Sequence, residues 1–162
     1  MSLRDLDLNS TYRTGRDDIL NDFYLPVLKE VKTYDRAVGF FSTSFLTYAL
    51  QGIRSVVEND GRIRLIVGYP LAQDEFEALS EASSYASIKS RLTEDLLKIL
   101  DNSGSKLEKL RISVFMMLVA TGRLELKFAA KRAGMYHEKI GIIADAEGNK
   151  ILFHGSNNGT TN

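Results

Sequence analysis

The chain has two histidines, His137 and His154, and both lie in the stretch 136–158, "YHEKIGIIADAEGNKILFHGSNN". Lys139 follows the first histidine at the second position. Gly155, Ser156 and Asn158 follow the second. On a β-strand, residues i and i+2 point to one face, so His137 and Lys139 are neighbours while Glu138 faces away. An imidazole titrates near neutral pH and can attack phosphorus or carry a proton. Lysine and asparagine can hold anionic oxygens and stabilise charge as it moves onto them. His-x-Lys alone is ordinary surface composition. Joined to Gly-Ser-x-Asn across a hairpin, it becomes a candidate site for a phosphodiester.

The hairpin is what would gather these groups. The pattern predicts a strand over 135–145, a turn over "AEGN" (146–149) and a returning strand over 150–156. Counting outward from the turn pairs 145 with 150, 143 with 152, 141 with 154 and 139 with 156. That register sets Ser156 beside Lys139 and carries Asn158 towards His137. Gly155, without a side chain, lets a ligand approach the backbone. His154 shares its face with Ser156 and is expected to support the pocket from behind.

The elements upstream must position this hairpin. Apolar residues at 19, 20, 23, 24, 27, 28 and 31 have helical spacing, with Pro26 expected to kink or divide the helix. "RAVGFFS" (36–42) is expected as a short strand. Ser42, Thr43 or Ser44 then caps a helix running to about Glu58. "NDG" (59–61) is a turn and "RIRLIVG" (62–68) a second strand. A long helical region is expected from Asp74 to about Leu100, then a loop over 101–105. Residues 106–121 make a helix closed near Gly122, and "RLELKFAA" (123–130) alternates as a strand with one wet face. Strands alternating with helices, followed by a terminal hairpin, imply an α/β sandwich with a mixed β-sheet flanked by helices.

Composition bounds the alternatives. The 162 residues suit one compact domain, and 44% hydrophobic residues are enough for a real core. The longest apolar run, "ISVFMMLVA" (112–120), is far short of the roughly 20 residues of a membrane helix. No signal-peptide pattern opens the chain, and there is no cysteine for disulfides or thiolate metal sites. A reducing, cytoplasmic setting fits. Net charge is zero, from 21 basic and 21 acidic side chains, so the whole molecule does not grip nucleic acid by bulk charge. Positive charge is concentrated locally. Arg123, Lys127, Lys131, Arg132 and Lys139 face only Glu125 and Glu138 within 123–139.

These residues resemble the HKD motif of the phospholipase D superfamily, written His-x-Lys, then Asp, then Gly-Ser-x-Asn. His137, Lys139, Asp145, Gly155, Ser156 and Asn158 match it in order. Asp145 departs from the pattern: Ala144 stands where the family's Asp falls. Either the strand end carries a bulge or Asp145 is a turn former, its role structural. The wording is most similar to the phospholipase D-like domains at the N-terminus of DEAD/DEAH-type helicases and in related restriction-type nucleases. "AVGFFSTSFL" (37–46) resembles their early strand-to-helix segment, which would place Ser42 and Ser44 at the pocket lining; helix capping explains them equally well.

The resemblance implies a phospholipase D-like α/β/α sandwich and a metal-independent phosphodiesterase or nuclease with no cofactor. His137, Lys139 and Asn158 would be catalytic, Ser156 and Gly155 substrate-binding, and Asp145 and His154 supporting. Family members use two motifs, one histidine attacking phosphorus and the other protonating the leaving oxygen. One motif per chain implies a homodimer with the active site on the two-fold axis. Nucleic acid is the implied partner, DNA favoured over RNA, with no membrane partner. The "NNGTTN" ending reads as part of a longer protein, with a helicase or other domain expected to follow. Two other functions compete. One is a non-catalytic nucleic-acid-binding or dimerisation module of the same fold. The other is a phospholipid phosphodiesterase, disfavoured because no basic amphipathic helix is evident.

Overall fold

A computed structural model describes residues 1–39, 55–68, 105–129, 131 and 136–155, together with residues 74, 86, 90, 91, 93, 94 and 98. Its centre is a five-stranded sheet built from β1 (Thr33–Val38), β2 (Arg62–Gly68), β3 (Leu124–Ala129), β4 (Ile140–Ala144) and β5 (Lys150–His154). The spatial order is β3-β2-β1-β4-β5. β1, β2 and β3 are parallel, while β4 runs antiparallel to both β1 and β5. The sheet is therefore mixed, and the fold is α/β. The C-terminal ends of β1, β2, β3 and β5 and the start of β4 share one end of the sheet.

Alternation divides the sheet into two faces. Tyr34 and Val38 of β1, Ile63, Leu65 and Val67 of β2, Leu124 and Leu126 of β3 and Ile143 of β4 are buried. They form one core with Phe23, Val27 and Leu28 from the N-terminal helical segment, Val56, and Phe115 and Leu118 of α2 (Lys106–Ala120). Each fully buried leucine here contributes about 2 kcal/mol by leaving water. Because the described helices share this one core, they lie on one face of the sheet. The other face carries Ile66, Ile142 and Leu152, all exposed, and polar pairs between Arg64 and Asp35 and between Lys127 and Glu125. Among the described residues no helix is long and apolar enough to cross a membrane.

The N-terminal helix is divided where Pro26 requires it. A π-helical turn over Leu20–Tyr24 leads into a short α1 (Leu25–Lys29) with Pro26 in its first turn. Proline has no N–H to donate. The Tyr12 hydroxyl donates to the Asp22 carbonyl instead, at 3.3 Å. α2 ends at Gly122, whose φ of +70° is the left-handed conformation that closes helices.

Three expectations are corrected. β1 begins at Thr33, not Arg36, because "TYD" alternates buried and exposed as a strand despite its polarity. β4 is shorter than 135–145, since residues 136–139 have no ladder partner. β5 ends at His154 rather than Ser156. The helix expected after Ser42 lies outside the described residues except for 55–58, which are helical. Much of the 74–100 region also lies outside; its described positions are helical.

Candidate active site

The hairpin pairs Ala144 with Lys150, Ile143 with Ile151, Ile142 with Leu152, Gly141 with Phe153 and Ile140 with His154. This is one residue from the expected register, and a shift of one exchanges the faces of a strand. The cause is Asp145, which belongs to the turn: its N–H donates to the Asn149 carbonyl at 3.1 Å. The loop is thus 145–149, and Gly148 within it has φ +85°. Beyond the ladder, the Gly155 N–H donates to the Lys139 carbonyl at 3.2 Å. Gly155, not Ser156, therefore lies beside Lys139.

His137 and Lys139 sit on extended backbone leading into β4, at the end of the sheet where β1 and β2 finish. Glycines set how closely that backbone approaches. A Cβ on Gly39 would lie 2.8 Å from the Tyr136 carbonyl oxygen and 3.0 Å from the His137 Cα. A Cβ on Gly68 would lie 2.9 Å from the same carbonyl and would also meet the Gly39 carbonyl oxygen. The 136–137 segment rests directly on two strand ends because neither has a side chain. At Gly155 a Cβ would meet nothing within 4 Å among the described residues. His137 and Glu138 are exposed and Lys139 is half-buried. Burial first, and then the Glu138 carboxylate, push the Tyr136 phenol above its ordinary range. An exposed imidazole and a half-buried ammonium two residues apart, beside a bare glycine backbone, can meet an anionic oxygen and exchange a proton with it.

Ser156, Asn158, Ser42 and Ser44 lie outside the described residues, as does Arg132. His154 is exposed and sits opposite Ile140, with Ile142 and Leu152 on the same face of the hairpin. Asp145 is at the other end of β4. It is buried, and its carboxylate accepts hydrogen bonds from the N–H groups of Leu3 (2.9 Å), Glu147 (3.0 Å) and Asn149 (2.8 Å) and from the Asn149 amide (2.8 Å). The ladder through β4 is continuous, so no bulge brings Asp145 into line with the motif. Of the two roles open to it, the geometry is that of a turn former. Burial alone would raise its carboxyl. The Asn149 amide and the three backbone donors outweigh this and hold it below the usual carboxylate range.

The basic stretch is partly neutralised. Arg123 pairs with Asp60 at 2.5 Å and donates to the Gly61 carbonyl at 3.3 Å, bracing the 59–61 turn. Lys127 pairs with Glu125 at 3.1 Å. Lys131 is exposed. Among the described residues no group of three or more His, Asp or Glu could hold a metal ion. Sequence reasoning passed over Gly39, Gly68 and Arg36. Had β1 been started at Thr33, the buried face 34-36-38 would have shown an arginine between tyrosine and valine. Compared with known proteins, the chain matches no family model, no curated protein and no solved structure.

Proposed function

We propose that this domain is a metal-independent phosphodiesterase acting on nucleic acid, with His137 as its nucleophile. The observation that supports the reading is the seating of the 136–137 backbone on the glycine ends of β1 and β2, with Lys139 two residues on held beside the bare backbone of Gly155. The C-terminal ends of parallel strands are where open α/β sheets place ligands. The motif resemblance adds Ser156 and Asn158 to the same end, and the phospholipase D-like α/β/α sandwich belongs to the same proposal.

In the proposed reaction a His137 nitrogen attacks phosphorus and the bond to the leaving oxygen breaks. His137 of the partner subunit gives that oxygen its proton. Water then attacks the phosphohistidine, with the now neutral second imidazole taking the water's proton, and the phosphate is released. Lys139 and Asn158 hold the non-bridging oxygens while charge builds on them. The two histidines come from two copies of the chain, so the active unit is a homodimer.

The test is hydrolysis of bis-p-nitrophenyl phosphate and of single- and double-stranded DNA in EDTA, comparing wild type with His137→Ala and Lys139→Ala. His137→Ala should remove activity with melting and oligomeric state unchanged. Activity retained in that variant overturns the proposal. Salt-dependent DNA binding with no cleavage by the wild type would assign the domain to the non-catalytic reading.

A further inference from the structure

A second feature lies on the buried face of the hairpin; neither His137 nor Lys139 lines its cavity, although Gly155 does. Arg36 sits at the centre of β1 opposite Gly141 and is only 6% exposed. Its guanidinium carbon lies 4.9 Å from the centroid of the Phe153 ring. Gly141 makes room for that ring, since a Cβ there would overlap it. Yet Nε and Nη1 of Arg36 have no hydrogen-bond partner among the described residues. A buried cation with unpaired donors is costly, and one aromatic face offsets only part of that cost.

The same arginine lines a cavity of about 960 Å³ between the 8–14 segment and the edge strand β5. That is near the upper end of small-molecule sites, which run to roughly 1,000 Å³. Arg13 lines it as well and no described Asp or Glu does; Lys150 and His154 stand at its rim, on the face of β5 opposite Phe153. Two guanidiniums lining one cavity, with the Asp17 carboxylate engaged by the Arg13 backbone N–H and outside the lining, suit a dianion better than a single carboxylate.

We propose that this cavity binds a terminal phosphate monoester, with Arg36 holding the phosphate oxygens from below and Arg13 acting as the second cation. The inference does not rest on His137 being catalytic. The same chemistry is carried by a small phosphorylated metabolite and by the phosphorylated end of a nucleic-acid strand.

The experiment titrates the whole chain with inorganic phosphate, a nucleoside 5′-monophosphate, and matched oligonucleotides ending in 5′-phosphate or 5′-hydroxyl. Binding is read by calorimetry and by ³¹P NMR. Phosphate and at least one phosphomonoester should bind. Preference for the 5′-phosphorylated over the 5′-hydroxyl strand identifies a strand end as the source; equal strand binding with tight mononucleotide binding identifies the metabolite. Arg36→Met should weaken binding on the order of tenfold or more, as expected on losing charge-assisted hydrogen bonds. It should also melt no lower than wild type without phosphate, because an unpaired buried cation is gone. If Arg36→Met does not fold, Arg13→Ala on the exposed segment decides, by the same loss of binding at unchanged melting. The proposal is overturned if neither phosphate nor any phosphomonoester binds the wild type. It is overturned equally if binding survives in the folded arginine variants while His137→Ala removes it, which would move the anion to the other site.

Discussion

The two ends of the sheet are built on opposite plans. At the end where β1, β2 and β3 begin, polar groups knot the chain together. Lys32 donates through its backbone to the Ala144 carbonyl and through its ammonium to the Asn59 and Asp60 carbonyls. The Asn59 amide reaches Lys29 and Val31, Arg123 reaches Asp60 and Gly61, and Asp145 ties the hairpin turn to Leu3. At the end where those strands finish, closeness comes from what is missing. Gly39 and Gly68 let the 136–137 backbone lie on the strands, and the one backbone bond described there joins Gly155 to Lys139. One end is closed by hydrogen bonds. At the other, among the described residues, two glycines set how closely the 136–137 backbone approaches the strands.

The largest expected effect comes from breaking the element that serves both ends. The Phe153 ring meets Phe23, Tyr24 and Tyr34 at centroid distances of 5.1, 5.9 and 6.4 Å. It also covers Gly141. Phe153→Ala should cost about 3 kcal/mol in urea-unfolding stability, the low end for a phenylalanine because the ring is half-buried. A loss under about 1 kcal/mol would mean that the hairpin is held by its ladder alone.

Next in size is Asp145→Asn, which attacks the closed end only. The sign of its pH dependence follows from the lowered carboxyl. A group whose folded pKa lies below the unfolded value of about 3.9 stabilises the fold above that value and loses this contribution as pH falls through the folded pKa. The variant should therefore melt well below wild type at neutral pH, and the two curves should converge in acid. A gap that stays constant from neutral to acid pH would refute the assignment. Any phosphodiesterase activity, measured where both proteins are folded, should be little changed, because β4 separates Asp145 from Lys139.

Much of this organisation is visible in the amino-acid order, and the exceptions have physical causes. β2, β3 and α2 are legible because Ile63-Leu65-Val67, Leu124-Leu126 and the run to Gly122 carry clean periods with a stop. The start of β1 is obscured by Thr33 and Asp35, polar residues on either side of Tyr34 that resemble a loop. The hairpin turn is legible through Gly148, but its register is not. Asp145 is made the first turn residue by its bonds to Glu147 and Asn149 within the turn and to Leu3, far away in sequence, and the last of these no local pattern announces. The candidate site is legible as His137 and Lys139. The reason they sit where they do is not, since Gly39 and Gly68 matter through contacts with a segment about 70 to 100 residues later.

The sharpest form of the comparison uses glycine at each end. Gly39 lacks room for a Cβ and is not in the left-handed region; Gly148 has open space around it and a φ of +85°. Gly39→Ala should cost about 1–3 kcal/mol, as overpacking does. It should also displace the 136–139 backbone, moving the His137 imidazole resonances and lowering any activity more than it lowers stability. Gly148→Ala should cost about 1 kcal/mol through backbone strain alone and leave those resonances in place. Asparagine separates the two causes, since it tolerates the left-handed region but is larger than alanine. Gly148→Asn should recover part of the stability lost by Gly148→Ala, whereas Gly39→Asn should be worse than Gly39→Ala. If asparagine ranks the same way at both positions, then conformation and crowding are not the separate constraints argued for the two glycines, and the 136–137 backbone is not seated by the missing side chain at residue 39.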